Sequence, residues 1–385
     1  MKLKIVATSD LHFGNIRINA ELMYEELKKT LYPELVDAHL FILAGDLLDQ
    51  LLTVGSKAHI YASRFIKDIF SISAKTGLVV RILVGTYTHD RDQIPIFKAL
   101  AIPRTKVKII DKIDCEVIKG FTNTNGYVDY DLKIGYLPDN LIYKESSDAV
   151  AQLHKAMDIV GISTLDTCII HGTFTHTVRP GAPFPPCTYS VSQFKFVNGP
   201  IICGHIHTAS RKQNVYYCGS WERMSHGEEE NKGFYVFLNE DGKWSAKFIV
   251  NPDASKFITI TPPGADVAST SEYFLSEMKK YFTNDIGHVR VIHKNADIRA
   301  LLHKICNQQY PDVIFTSKAL PNDEEGSMQV EDIEVDTYND VKPDVNNLGD
   351  LVFKFLSENK LDEGIPESTI LAKVKELLTI NGFIR

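Results

Sequence analysis

Five short β-rich runs in the first 210 residues each end in a loop that carries histidine or aspartate, and this regularity constrains the fold most strongly. In chain order these loops carry Asp10, His12, Asp46, His89, Asp90, His171, His205 and His207. The runs themselves, such as KIVATS, HLFILAG and PIICG, are almost continuously apolar, which is typical of strands in a sheet that is covered on both faces. We therefore expect the polar residues to gather at one edge of the sheet.

The segments between these runs predict what covers the sheet. Helical periodicity at 20–31 and 57–70 supplies amphipathic helices. Residues 216–250 have strand character, with FYVFLN and KFIV joined through a short turn at 240–242. The sequence therefore predicts an α/β fold in which two sheets pack face to face and helices flank them, giving four layers in the order α/β/β/α.

Three further parts are predicted beyond this main domain, which we expect to span residues 1–250. Residues 251–318 alternate strand and helix patterns and predict a small α/β domain. Residues 319–347 hold nine acidic residues against one lysine and few large apolar side chains, as expected of a linker. Residues 348–385 carry two apolar stripes at helical spacing, which predict C-terminal helices.

The composition limits which binding partners and which cellular compartment the chain is compatible with. The net charge of −7 at first argues against a nucleic-acid partner, but the acidity is concentrated in 319–347 and the rest of the chain is slightly basic. No apolar run reaches the roughly 18 residues of a membrane span, and the N-terminus lacks the pattern of a signal peptide. The six cysteines show no CxxC spacing. We expect a cytoplasmic protein that is not secreted and does not enter a membrane.

The paired motifs have the spacing of metal ligands. Asp10 and His12 are two residues apart, so an extended backbone would direct both side chains to the same face. His205 and His207 repeat this spacing, and Gly204 before them permits a close backbone approach. Each motif alone is weak evidence, since surface histidines and helix-capping aspartates have the same appearance. Together, at the ends of five strands, they predict a shared metal site.

The stretches SDLHFG, LAGDLLD, THD, IIHGT and GHIH resemble the motifs of the calcineurin-like metallophosphoesterases. The segment YCGSWERMSHGEEENKGFYVF, the small second domain and the C-terminal helices make the chain similar to the SbcD-type nucleases of the meiotic recombination nuclease family, including members carried by large phages. The motifs span residues 4–238, and beyond them the likeness is one of architecture. The resemblance implies a four-layer metallophosphoesterase sandwich with a small cap domain, in the host cytoplasm for a phage member.

The resemblance also implies a two-metal site. Carried over to this chain, the family pattern places the ligands at Asp10, His12, Asp46, His171, His205 and His207. His171 and His205 belong to the second cation, and Asp46 bridges the two. Imidazole and carboxylate ligands suit manganese, which the family prefers, with magnesium, iron or zinc as alternatives. Such a pair of cations clamps a phosphate and generates hydroxide from bound water.

Two catalytic roles follow from the same resemblance. His89 stabilises the phosphate or protonates the leaving oxygen, and Asp90 holds its imidazole in a useful orientation. The Gly-Asn-His-Asp of the family is replaced here by a loop two residues longer, in which Thr88 takes the position of the asparagine ligand. Asp49 stands where the family has a further histidine. These departures leave three alternatives for the second cation, which are weaker binding, binding through water and recruitment of another residue, and we expect activity to persist.

The partners implied by the resemblance are DNA, an SbcC-like ABC-type coiled-coil ATPase, and a second copy of the chain in a homodimer. The C-terminal helices would dock on the ATPase, with packing on the chain itself as the alternative. The small domain would contact DNA phosphates, although any one of its basic residues equally fits a solvated face. These residues are Lys279, Lys280, Arg290, Lys294 and Arg299.

The function expected from these parts is that of a nuclease subunit in DNA repair, recombination or replication. It would act as an exonuclease on duplex ends and as an endonuclease on single strands or hairpins, by two-metal hydrolysis of phosphodiester bonds. One alternative is a phosphodiesterase that acts on small molecules. Another is a weakly catalytic scaffold subunit that binds DNA ends.

Overall fold

The computed structural model describes residues 2–90, 92–139, 143–263, 267–282, 287–293 and 298–319. The chain divides into two compact units, residues 1–325 and 326–385, and every described residue belongs to the first. Apart from residue 319, the predicted acidic linker and the predicted C-terminal helices lie outside the described residues, as does Lys294. The boundaries of the predicted domains stay predictions.

The strands and helices of the described residues are as follows. The strands are β1 (Lys2–Thr8), β2 (Leu40–Ala44), β3 (Val79–Leu83), β4 (Lys106–Ile110), β5 (Asp114–Asn123), β6 (Gly126–Leu137), β7 (Thr167–His171), β8 (Ile201–Gly204), β9 (Ser210–Lys212), β10 (Val215–Tyr217), β11 (Gly233–Glu240), β12 (Lys243–Val250), β13 (Lys256–Ile260), β14 (Gly287–His293) and β15 (Val313–Ala319). The α-helices are α1 (Ala20–Thr30), α2 (Tyr32–Leu35), α3 (Lys57–Thr76), α4 (Tyr87–Asp90), α5 (Ser146–Val160), α6 (Val267–Tyr281) and α7 (Ile298–Gln309).

Two six-stranded sheets and one three-stranded sheet result. The first sheet has the order β12-β11-β1-β2-β3-β4, and its strands from β1 to β4 are parallel. The second has the order β5-β6-β7-β8-β10-β9, and its strands β6, β7, β8 and β10 are parallel. Because neighbouring parallel strands end at the same edge, the loops after β1, β2 and β3 leave the first sheet together, and those after β7 and β8 leave the second together.

Three apolar cores stack these elements into layers. Leu27 of α1 and Phe65 of α3 pack against one face of the first sheet. Ile5 of the first sheet and Ile134 of the second belong to the core between the sheets. Leu153 of α5 packs against the outer face of the second sheet. The order of layers is therefore α/β/β/α, and the predicted fold class is confirmed.

The local sequence explains why these elements form. Every residue of β2, β3, β7 and β8 is buried, which fits their continuous apolar runs, because a central strand is covered on both faces. Helix α3 begins after Ser56, whose side chain accepts a hydrogen bond from the His59 N–H, and ends at Gly77 with a left-handed φ of 85°. None of the described helices is long and apolar enough to cross a membrane.

The third sheet, formed by the parallel strands β13, β14 and β15, has its own core with α6 and α7. Phe274 and Leu302 of the helices pack there with Val289 of the sheet. The residues directly before its first strand are tied to the segment before β11 by Arg223, whose guanidinium donates hydrogen bonds to the carbonyls of Ala254 and Ser255 at 3.1 and 3.2 Å.

Candidate metal centre

The structure brings all six predicted ligands together at the carboxyl ends of strands from both large sheets. They form two groups, one of Asp10, His12 and His207 and the other of Asp46, His171 and His205. Within each group, one ligand atom from every residue lies within 4.8 Å of the others. Since β1 and β2 belong to the first sheet and β7 and β8 to the second, the site forms only where the two sheets meet.

The backbone at these residues differs from the extended conformation that the sequence analysis assumes. Strand β1 ends at Thr8, and φ is 51° at Asp10, 49° at His12, 51° at Asp46 and 88° at His205. The expectation that strand alternation pairs Asp10 with His12 is therefore wrong, because a left-handed turn directs these side chains instead. Such values are uncommon outside glycine, so the surrounding structure must hold the loops in place.

The first group is built around two imidazoles that face each other. The Nε2 atoms of His12 and His207 are 3.1 Å apart. His12 Nε2 also lies 4.0 Å from Asp10 Oδ1 and 3.9 Å from Asp46 Oδ2. Two imidazole nitrogens and two carboxylates directed at one space form a donor set that suits a divalent transition metal. The residues of this group therefore fit the predicted cation.

The second group surrounds His171. Its Nδ1 lies 2.8 Å from the Ala44 carbonyl oxygen, and its Nε2 lies 3.2 Å from Asp46 Oδ2. A backbone partner at Nδ1 fixes the ring and leaves Nε2 for a cation. Burial lowers the pKa of His171, but the adjacent Asp46 raises it to about 10. A proton at His171 then supplies the positive charge that the buried carboxylate requires, and a coordinated cation would supply the same charge.

Asp46 is shared between the two groups. Its Oδ2 lies within 4 Å of the Nε2 atoms of both His12 and His171, and its Oδ1 accepts a hydrogen bond from the Thr86 N–H at 2.6 Å. Burial raises the pKa of Asp46, but His171 and His12 hold it well below the usual range of a carboxyl. An ionised carboxylate between two sets of imidazoles is the arrangement that a bridging ligand requires.

Thr86, and not the predicted Thr88, faces the second group. Its Oγ1 lies 3.3 Å from Asp46 Oδ2, 3.3 Å from His171 Nε2 and 3.5 Å from His205 Nδ1. Thr88 is exposed, because the short helix α4 turns its side chain outward. The assignment of Thr88 as the substitute for an asparagine ligand is therefore wrong in position. The hydroxyl that faces the second group belongs to the residue directly after Gly85.

The predicted pairing of Asp90 with His89 is also corrected. The Asp90 carboxylate accepts hydrogen bonds from the backbone N–H groups of Asp46 and Gly85 at 3.0 and 2.7 Å. His89 Nδ1 lies instead 2.6 Å from the backbone carbonyl oxygen of Asp49. Burial and the Asp46 charge raise the pKa of Asp90 to about 7. Asp90 therefore joins the loops after β2 and β3 and positions Asp46, while the Asp49 carbonyl orients His89.

His89 itself lies beside the first group. Its ring packs edge-on against that of His12, with centroids 4.8 Å apart, and its ligand atoms approach those of His12 and Asp46 within 4.8 Å. His89 is only half-buried, so one side of the ring reaches solvent. This position gives a substrate bound at the cations access to the imidazole. Its role towards phosphate or leaving oxygen stays a prediction.

Two carboxylates behind the histidines were not assigned roles by the sequence analysis. Asp49 Oδ1 lies 3.2 Å from His12 Nδ1, and Glu228 Oε1 lies 3.6 Å from His207 Nδ1. Both are on the side of the ring away from Nε2, where a carboxylate favours the tautomer that directs Nε2 at a metal. Glu228 has no sequence signal of its own, since it is one of three consecutive glutamates and only the fold selects it, whereas Asp49 is marked by its position, where the motif that the sequence resembles has a histidine.

Glu228 is in turn held by a buried lysine. Lys232 Nζ donates hydrogen bonds to Glu228 Oε2 at 2.7 Å, to Glu230 Oε1 at 2.8 Å and to the His207 carbonyl at 3.0 Å. Burial raises the pKa of Glu228, but the neighbouring His207 and Lys232 lower it to about 2. The carboxylate therefore stays ionised, and Lys232 fixes both the backbone of His207 and the group behind its ring.

Two motif glycines allow the sheets to approach this closely. A Cβ atom at Gly45, where φ is 94°, would lie 2.2 Å from His171 Nδ1. A Cβ atom at Gly204 would lie 2.2 Å from the Ala44 carbonyl oxygen. A side chain at either position would push the loops of the two sheets apart. The glycines are thus required by the packing of the ligands.

Cations held by these groups would polarise a phosphoryl group and activate a water molecule. Other residues of the chain hold the ligands of these cations in position. Asp46 links the two groups, Asp90 fixes the loop of Asp46, and Glu228 with Lys232 fixes His207. His89 supplies a titratable nitrogen next to the first group.

Comparison with family models and with curated proteins finds no match. Among solved structures, the crystal structure of TT1561 of Thermus thermophilus matches with 14% sequence identity and a TM-score of 0.37. The match covers 64% of this chain and 99% of that chain. At this TM-score the likeness adds nothing to the fold assignment, which rests on the strand order and layering described above.

Proposed function

We propose that this protein is a two-metal phosphodiesterase that acts on DNA, as an SbcD-type nuclease subunit. The observation that carries the proposal is the shared position of Asp46, whose Oδ2 lies 3.9 Å from His12 Nε2 and 3.2 Å from His171 Nε2. A carboxylate common to two sets of ligands supports a pair of cations on one phosphate, the arrangement that in-line hydrolysis of a phosphodiester uses. Imidazole and carboxylate ligands suit manganese, iron or zinc, and manganese is proposed because the family that the sequence resembles prefers it, with iron, zinc or magnesium as alternatives.

The proposal that the substrate is DNA rests on the small sheet and its helices. Lys279 and Lys280 at the end of α6 and Arg299 on α7 are exposed, as side chains that contact a phosphate backbone must be. The exposed Lys280 lies 3.8 Å from the half-buried Glu277, and an ion pair at the surface is too weak to prevent contact with a phosphate. DNA is proposed over a small diester because a small substrate would not need these side chains.

The proposal includes the partners that the resemblance implies. The subunit works as a homodimer with an SbcC-like ABC-type ATPase, cleaving duplex ends as an exonuclease and single strands or hairpins as an endonuclease in DNA repair, recombination or replication. Its place is the cytoplasm. The helices proposed to dock on the ATPase are those of residues 348–385.

Hydrolysis of linear duplex DNA in the presence of manganese tests the activity. The wild-type protein is expected to release nucleotides, and Asp46→Asn is expected to reduce the rate by at least about a hundredfold because both groups lose their shared charge. Thr88→Val is the matched control, since Thr88 is exposed. Turnover of bis(p-nitrophenyl) phosphate without turnover of DNA would replace the proposal by a small-molecule phosphodiesterase.

A weakly catalytic scaffold that binds DNA ends is the second candidate. The presence of Thr86 favours this function. A threonine hydroxyl is a poorer ligand than the amide carbonyl of an asparagine, so the second cation would be bound more weakly. Metal analysis that finds at most one cation per chain, together with retained DNA binding and no hydrolysis, would favour this function.

A further inference from the structure

Asp139 stands at the carboxyl end of β6, in the loop that leaves the sheet next to a ligand of the second group. Strands β6 and β7 are parallel neighbours, and their last paired residues are Leu137 and Ile170. His171 comes directly after Ile170, and Asp139 comes two residues after Leu137. Because neighbouring parallel strands end at the same edge of a sheet, the loop of Asp139 begins beside the second group.

The surroundings of Asp139 agree with this register. Burial raises the pKa of Tyr189, and the charge of Asp139 contributes to the same shift. The Tyr189 ring lies against the backbone that follows His171, since a Cβ atom at Gly172 would lie 3.2 Å from Tyr189 Cε2. Asp139 is therefore close to the residues at the end of β7, as the pairing of the two strands requires.

The charge of Asp139 also acts on the imidazoles of the second group. Burial and the neighbouring His171 lower the pKa of His205, and carboxylate charges oppose this shift. Among these carboxylates the effect of Asp46 is the largest, that of Asp139 comes next and that of Asp10 follows. The Asp10 carboxylate accepts a hydrogen bond from the His205 N–H at 3.0 Å, yet Asp139 has the larger effect. The Asp139 carboxylate therefore lies beside the second group.

The Asp139 carboxylate is available to a cation. It is half-buried, and among the described residues it has no hydrogen-bond or ion-pair partner. The carboxylates of Asp10 and Asp46, by contrast, accept hydrogen bonds from backbone N–H groups. A partly buried charge without a partner loses hydration and gains no compensation, so the position of Asp139 favours a bound cation.

The second group on its own has less negative charge than the first. Its ligands are two imidazoles, the Thr86 hydroxyl and the Asp46 carboxylate, and Asp46 is shared with the first group. The first group has the Asp10 carboxylate in addition to its share of Asp46. A carboxylate at Asp139 would give the two groups the same charge, so that each could neutralise a divalent cation to the same extent.

We propose that Asp139 is a ligand of the second cation and supplies the oxygen that Thr86 supplies only weakly. This rests on the proposed function, because it adds a residue to the same two-metal site. A carboxylate suits manganese and magnesium better than softer cations, and its charge strengthens the hold on any divalent ion. The second cation site is then built from β6 as well as from β7 and β8 of the second sheet.

Calorimetric titration of the full-length, chelator-treated protein with manganese tests this ligand. The wild-type protein is expected to bind two cations. Asp139→Asn, which keeps the shape of the side chain and removes its charge, is expected to weaken the binding of one cation by about tenfold or more and to leave the other unchanged. Asp131→Asn is the matched control, because it removes an exposed carboxylate from the strand that leads to Asp139.

Electron paramagnetic resonance gives a second measurement that does not depend on activity. Two manganese ions that share a carboxylate are magnetically coupled, whereas a single ion gives an uncoupled signal. At a manganese concentration that fills both sites of the wild-type protein, Asp139→Asn is expected to give the uncoupled signal. Asp139→Glu keeps the carboxylate on a longer side chain and is expected to bind the second cation with intermediate affinity, which separates the loss of a ligand from a defect in folding.

If Asp139→Asn matches Asp131→Asn in both affinities and in the coupled signal, Asp139 is not a ligand. The proposed function is tested separately, by whether the wild-type protein with manganese hydrolyses DNA. Binding of two cations that depends on Asp139, without hydrolysis, would support the ligand and overturn the nuclease. Hydrolysis together with two cations that bind equally well in Asp139→Asn would overturn the ligand alone.

Discussion

The Nε2 atoms of His12 and His207 lie 3.1 Å apart although 195 positions separate the two residues in the chain. Imidazole nitrogens approach this closely when a proton or a cation lies between them. Asp49 and Glu228 lie 3.2 and 3.6 Å from the Nδ1 atoms of the two rings, and both histidines present Nε2 to the same space. Because this pair of nitrogens can bind a cation before any substrate is present, cation binding can be measured in the absence of substrate.

Manganese is expected to stabilise the fold. A ligand at about 100 times its dissociation constant adds about 2.7 kcal/mol to the free energy of unfolding, so Tm should rise by several degrees on addition of manganese. Calorimetry of the chelator-treated protein, with and without manganese, measures this shift. Asp46→Asn should abolish most of it, whereas Thr88→Val should keep it. An unchanged Tm at saturating manganese would contradict a metal centre.

Thr86→Val should weaken the second cation site, because valine keeps the shape of the side chain and removes the hydroxyl next to His171 and His205. We expect the affinity of the weaker cation to fall roughly tenfold, the usual cost of losing a group close to a metal. Calorimetric titration with manganese measures it, and Thr86→Asn is expected to strengthen the same site. Equal titrations of Thr86→Val and wild type would remove Thr86 from the site.

His89→Ala should lower the turnover of DNA by about a hundredfold or more, the usual contribution of a general acid or a phosphate-stabilising group. The two-cation titration should stay intact because the six ligands remain. His303→Ala, which changes an exposed histidine of α7, is the control. Loss of a cation in His89→Ala would instead make His89 a ligand.

Glu222→Gln should stabilise the protein at neutral pH. Glu222 is buried, and burial and the neighbouring Glu26 raise the pKa of its carboxyl well above the usual value. An acid with a raised pKa in the folded state loses stability as pH rises from its unfolded pKa towards its folded pKa. Glutamine resembles the protonated form and still accepts the hydrogen bond from the Ser255 N–H. Tm of the variant should exceed that of wild type at neutral pH and approach it in mild acid.

Glu116→Ala should destabilise the packing between the two large sheets. The Arg81 guanidinium of β3 donates to both oxygens of Glu116 on β5, at 2.7 and 3.1 Å, and the Tyr136 hydroxyl donates to it at 2.6 Å. Removal of the carboxylate leaves a largely buried guanidinium uncompensated, which costs about 3 kcal/mol. Denaturant unfolding measures the loss. A change below about 1 kcal/mol, within the range of an exposed pair, would contradict a structural role.

Much of the fold follows from the sequence because apolar runs identify buried strands and parallel strands end at a common edge. This is why residues as distant as Asp10 and His205 could be predicted to meet. The hairpin of β5 and β6 was not predicted, since both strands alternate and lie partly exposed at the edge of their sheet.

The finer parts of the site could not be predicted from the sequence. Which threonine of the GTYTHD loop faces the cations depends on the helical turn at Tyr87, and spacing alone favoured Thr88. The partners of Asp90 are backbone N–H groups, which leave no trace in a sequence. Glu228 becomes significant only when the chain folds and brings it beside His207.

The ligands are divided between two sheets, so a cation bound at the centre also links the two sheets to each other. Any cation that holds Asp46 to His171 also resists separation of the layers that carry them. Linkage requires the reverse to hold: the free energy by which a bound cation opposes separation of the layers equals the free energy by which separation weakens cation binding. A substitution elsewhere, such as at Arg81, therefore lowers the apparent affinity for metal once it lets the separated state become populated.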